Sequence, residues 1–122
     1  MDDNGPVTTT LRPGWLVSKG NVLASVNIAV ERRDRRRGLI GVADVHTPLV
    51  LRPCNWVHGV GIRTALDVAY VAADGAVLET LVLKPMRVAP WNKKAVFVVE
   101  AAVGSFERWG LKTGDTVELR EP

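Results

Sequence analysis

The chain has 122 residues, 47% of them hydrophobic and 24% charged, with a formal charge of +3. That length and balance describe one small globular domain and exclude long disorder, collagen and coiled coil. A single cysteine, Cys54, excludes an internal disulfide framework.

The N-terminus reads MDDNGPVTTT. It has neither the basic nor the apolar region of a signal peptide. No apolar stretch in the sequence is long enough to span a membrane as a helix. With the lone cysteine this leads us to expect a cytoplasmic protein. Residues 1–13 read as a loose tail, and residues 14–122 as a single β-rich domain. Trp15-Leu16-Val17 and Val22-Leu23-Ala24 flank Ser18-Lys19-Gly20-Asn21, which predicts a hairpin. Ser25 or Asn27 is read as the cap of a helix running to Arg37 and stopped by Gly38, with Ile28, Ala29 and Val30 as its anchors. The stretch Glu31–Arg37 holds five arginines against two acids, which accounts for the whole charge excess.

Pro48 and Pro53 break the next apolar region into short strands expected near 48–52 and 56–60. Asp74-Gly75 between Leu66–Ala72 and Ala76–Leu83 is the strongest hairpin signal in the chain. Pro85 and Pro90 bracket a loop that leads to Trp91. Ala95–Val99 reads as a buried strand. Gly104–Gly110 allows one or two helical turns with Phe106 and Trp109 on one side, and Thr116–Arg120 alternates like a closing strand. Many short strands with two brief helices predict a mainly β protein with short helices, of the α+β kind, built as a compact β-sandwich or barrel.

The ordered set Arg35, Gly38-Leu39-Ile40, His58, Gly61, Leu66-Asp67-Val68-Ala69, Asp74-Gly75 with Val77, Val99-Glu100, Gly104, Gly110 and Gly114-Asp115 resembles the bacterial and archaeal family called domain of unknown function 192. The resemblance covers about residues 20 to 120. It implies a compact, mainly β fold and no assigned activity. The chain departs from the family's pattern at Ile40, Val42 and Ala65.

Asp44, His46, Cys54, His58 and Asp67 are the metal-ligating residue types. No Cys-x2-Cys, His-Glu-x-x-His or calcium loop arranges them, so neither a metal nor a cofactor is expected. Cys54, His58 and Asp67 contain the residue types of a thiol nucleophile, a base and an orienting acid, but their spacing does not show that they converge. The run Arg32, Arg33, Arg35, Arg36 and Arg37 is a basic patch that could meet phosphates. No aromatic platform interleaves with it, so nucleic acid is disfavoured and a solvated helix face is the plainer reading. Trp91, in a polar loop, is the best exposed contact candidate. Asp67 lies inside the apolar run Ala65–Tyr70, where a carboxylate needs a partner, and His58 or Arg63 is expected to supply it. The leading reading is a non-enzymatic module that binds an unidentified protein or small molecule. The runners-up are a small hydrolase or metal-dependent enzyme at His58, Asp67 and Cys54, and a nucleic-acid accessory protein using the arginines.

Overall fold

The computed structural model describes residues 10–122, so residues 1–9 of the expected tail lie outside the described residues. Arg12 and Pro13, also assigned to that tail, belong to the first strand. The elements in chain order are β1 (Arg12–Ser18), β2 (Asn21–Ala29), α1 (Arg32–Arg37), β3 (Leu49–Leu51), β4 (Leu66–Ala72), β5 (Val77–Leu83), β6 (Ala95–Ala102), α2 (Ser105–Trp109) and β7 (Glu118–Arg120). No helix among the described residues is long and apolar enough to cross a membrane.

The strands form one sheet in the order β5-β4-β6-β3-β2-β1-β7. Its pairs are antiparallel except for β2 and β3, which run parallel. The two ends of the sheet meet. Ala76 bridges Thr116, the Val77 N–H donates to the Asp115 carbonyl at 2.8 Å, and the Val117 N–H donates to the Gly75 carbonyl at 2.8 Å. The sheet is therefore a closed barrel, which leaves few unpaired strand edges.

Two apolar layers follow from strand alternation. Leu16, Val26, Ile28, Val71, Val99 and Phe106 belong to the layer inside the barrel. Leu51, Leu66, Val68, Tyr70, Leu83 and Val98 belong to a second layer on its outer face. That outer layer is covered by Val57, Ile62 and Ala89 from the connecting segments. Leu66 to Val71 of β4 are all buried, as expected for a strand covered on both sides.

Two expectations are corrected here. The helix from Ser25 or Asn27 does not form, and only its last turns survive as α1. Val26 and Ile28 are buried while Ser25 is exposed and Asn27 half-buried, a period of two. The β-branched side chains fill the barrel from a strand paired with β1 on one side and β3 on the other. The strand expected over 56–60 is a loop that touches its neighbour through one bridge, His58 to Val88.

The Asp74-Gly75 turn joins β4 to β5, and Gly75 has φ +89°. A Cβ at Gly75 would stand 2.4 Å from the Val117 carbonyl oxygen, so the turn and the barrel closure both require glycine. Gly75→Val should therefore lower stability by roughly 2 kcal/mol or more. Urea denaturation measures this, and a midpoint equal to the parent's at equal slope would contradict it.

Candidate functional site

The chain leaves β2 at Val30 and turns through Glu31 into α1. Arg32, Arg35 and Arg36 stand at i, i+3 and i+4, so they share a face and Arg33 lies off it. Arg35 fixes the helix in place. Its Nε–H donates to the Val30 carbonyl at 2.9 Å and its Nη1 donates to the Pro53 carbonyl at 3.2 Å. Gly38 ends the helix with φ +50°, and its N–H donates to the Asp34 carbonyl at 2.9 Å. A Cβ at Gly38 would lie 3.4 Å from Glu100 Oε1, so the helix end sits directly over that carboxyl group.

This packing makes a cleft of about 550 Å³ on the outer face of the barrel. Arg32, Arg35, Arg36 and Arg37 line it from α1, and Cys54, Trp56 and His58 line it from the following loop. Leu39, Ile40, Leu51, Val57 and Ile62 add apolar wall. Arg32, Arg36 and Arg37 are exposed, so they form its rim. The arginine helix has no buried residue, and four of its arginines also line this cleft.

Glu100 forms part of the floor. It projects from β6 beside Leu49 on β3 and Val68 on β4, within the outer apolar layer. It is only 4% exposed, and among the described residues its Oε1 has no hydrogen-bond partner. Burial pushes its carboxyl pKa up from 4.5 to about 7. The sequence marks Glu100 only as part of the Val99-Glu100 family motif, although it carries the same signal as Asp67: an acid inside an apolar run.

Cys54 and His58 do share this cleft, but they are not joined as a nucleophile and base. The Cys54 thiol donates to the Trp56 carbonyl at 3.3 Å. Burial raises its pKa, with Glu100 adding to the rise while Arg35 and the backbone oppose it. The thiol therefore stays protonated, the reverse of what a reactive cysteine needs. His58 Nδ1 accepts from the Val60 N–H at 3.2 Å, which leaves the proton of the neutral ring on Nε2. Its ring packs against Trp56, the centroids 5.4 Å apart. The Trp56 indole N–H donates to the Ala89 carbonyl at 2.9 Å, tying the loop to the segment beyond β5.

Asp67 lies elsewhere. It pairs with Ala101 while Val68 pairs with Glu100, so it faces the inner side of the sheet. Its Oδ2 accepts from the Gly104 N–H at 3.0 Å and the Phe106 N–H at 3.1 Å. The expected partners, His58 and Arg63, are not the donors. Asp67 instead satisfies the first amides of α2, whose own flanking residue, Gly104, has no side chain to do so. Arg63 is exposed in the turn before β4, and Trp91 is 67% exposed in the loop before β6. Neither lines the cleft. Among the described residues no three His, Cys, Asp or Glu side chains group as a metal site.

The sequence profile of domain of unknown function 192 (DUF192), described as uncharacterized ACR, matches residues 15–119. A stretch of 71 residues, 58% of the chain, is 34% identical to the UPF0127 protein PF1050 of Pyrococcus furiosus, and the match spans 61% of that relative's length. The fold is similar to a protein of unknown function from Novosphingobium aromaticivorans, with a TM-score of 0.74 at 19% identity over 93% of this chain and 89% of that one. It is also similar to a Sinorhizobium meliloti protein described as a candidate transcription regulator, with a TM-score of 0.70 at 18% identity over 94% and 98% of the two chains. At these identities the likeness is one of fold.

Two outcomes are expected. Asp67→Ala should cost about 1–3 kcal/mol by stranding two amides at the start of α2, whereas Asp67→Asn keeps an acceptor oxygen and should cost less. Urea denaturation of both, with hydrogen exchange at Gly104 and Phe106, checks this; equal losses in the two variants would refute the capping role. The second outcome concerns Glu100. The folded protein holds its proton up to about pH 7, while the unfolded chain releases it near 4.5. Stability is therefore fullest below that lower value, falls as pH rises between the two, and levels off above. Glu100→Gln should remove this fall, gaining on the order of 3 kcal/mol on the parent between acid and mildly alkaline solution. Denaturation across that range measures it, and a constant difference between parent and variant would mean the carboxyl ionises freely.

Proposed function

The chain belongs to the DUF192 family, and from that premise we propose that it is a non-enzymatic binding module for a small anion-bearing molecule held in the cleft between α1 and the 54–62 loop. The observation that carries this reading is the arginine rim. Arg32, Arg35, Arg36 and Arg37 come from a single six-residue helix and line one cleft. Like charges at i, i+3 and i+4 repel one another. A carboxylate or phosphate seated among them relieves that repulsion and gains charge-assisted hydrogen bonds. The apolar wall supplies contact area, and the cleft volume falls within the range of small-molecule sites. The protonated thiol of Cys54 and its separation from Asp67 favour binding over nucleophilic catalysis.

The test is an amide chemical-shift titration with inorganic phosphate and with hexanoate. Saturable shifts should cluster at Gly38, Trp56 and His58 and weaken as salt is raised. The Arg36→Gln/Arg37→Gln double variant should bind about tenfold more weakly, with its fold unchanged because both side chains are exposed. Shifts scattered over the surface, or equal binding by the double variant, would overturn the reading.

A further inference from the structure

The arginine rim accounts for one end of a ligand and leaves Glu100 unexplained. A carboxyl group buried in an apolar layer normally has its hydrogen bonds made by the protein, because leaving them unmade is costly. Here Oε1 has no such partner among the described residues, yet the group lines an accessible cleft. Neutral Gln or an aliphatic residue would fill the position between Leu49 and Val68 without a titrating group. Arg35, the half-buried arginine, directs two of its donors to backbone carbonyls and not to Glu100.

We propose that the cleft takes an amphoteric small molecule, with an ammonium or similar N–H donor end against Glu100 on the floor and an acidic end among the arginines of the rim. This rests on the anion-site reading above and adds the second pole of the ligand. The order of chemistry from floor to rim is acid, apolar wall, base, so a complementary ligand runs donor, short hydrocarbon, acid. ω-Amino acids and aminoalkyl phosphates share that pattern.

Binding is coupled to a proton. The charged or titratable groups around Glu100 are the arginines of α1, Cys54 and His58 of the loop, and Tyr70 on β4. Tyr70 donates its hydroxyl to the Pro90 carbonyl at 2.6 Å, and burial, the leading cause, raises its pKa to about 12, so it stays protonated. The Cys54 pKa is also raised, so the thiol keeps its proton, and the arginines keep theirs. The ammonium end is placed against Glu100, so the proton that leaves when it arrives is the one on Glu100.

The experiment is titration calorimetry of the parent with 6-aminohexanoate, hexanoate and inorganic phosphate near pH 6.5, in two buffers of different ionisation enthalpy. 6-Aminohexanoate should bind at least about tenfold tighter than hexanoate and release a proton, which appears as a buffer-dependent heat. Hexanoate, which carries no ammonium and is fully ionised at this pH, should release none. Glu100→Gln should bring the two organic probes to equal affinity and abolish the release. The buffer dependence of the parent needs no variant, so it decides the matter even if that variant folds poorly. Binding of hexanoate or phosphate, with no advantage and no proton release for 6-aminohexanoate, would overturn this inference and leave the anion site standing. Binding of none of the three would overturn both.

Discussion

The central strands of this barrel are apolar on both faces, and the rest of the molecule is arranged around that constraint. A closed sheet hides its inner side chains by itself. Its outward ones, here Leu66, Val68 and Tyr70 on β4 and Val98 on β6, would face water. Each is worth about 1.5–3 kcal/mol when fully buried. The segments that cover them are therefore part of the core. Val57, Ile62 and Ala89 supply that cover, and the His58 to Val88 bridge and the indole bond of Trp56 tie the covering loops to each other.

The cleft arises where this cover is incomplete. α1 and the 54–62 loop approach each other over the end of β6, but they leave Glu100 below a gap. One unpartnered carboxyl group costs about 1–3 kcal/mol while it stays protonated. The apolar burial around it exceeds that several times over. The barrel can thus hold a polar group in an unfavourable place without losing its fold, as is common at functional positions. The cleft is cut into the outer layer, whose Leu51, Val57 and Ile62 also form its wall, while the inner layer and the Gly75 closure lie on the other side of the sheet.

The sequence made visible those features that rest on local chemistry. Asp74-Gly75 predicted its hairpin because few other dipeptides accept that turn, and Phe106 with Trp109 marked the brief second helix. The DUF192 motifs marked the family. At β2 the cap chemistry of Ser25 and Asn27 and the arginines that follow point to a helix, but the period of two in Val26 and Ile28 is the signal the fold obeys. Asp67 was rightly read as needing donors, but those donors are backbone amides 37 and 39 residues away. No side-chain inventory reveals them. Glu100 was legible by the same rule as Asp67. What alternation alone could not tell is which face of a doubly buried strand opens to a cleft.

The parallel pairing of β2 and β3 has one more consequence. Antiparallel neighbours can be joined by a two-residue turn, but parallel ones need a chain that travels back along the sheet, a dozen residues or more. Residues 30–48 are that return path, and they carry α1 and Gly38. Topology imposes the length of this segment and says little about its sequence. The arginine-bearing wall of the cleft is thus written on a stretch whose length the barrel requires, with Arg35 and Gly38 holding its shape. Under the reading proposed above, the exposed positions Arg32, Arg36 and Arg37 are where a change of ligand would disturb the strands least.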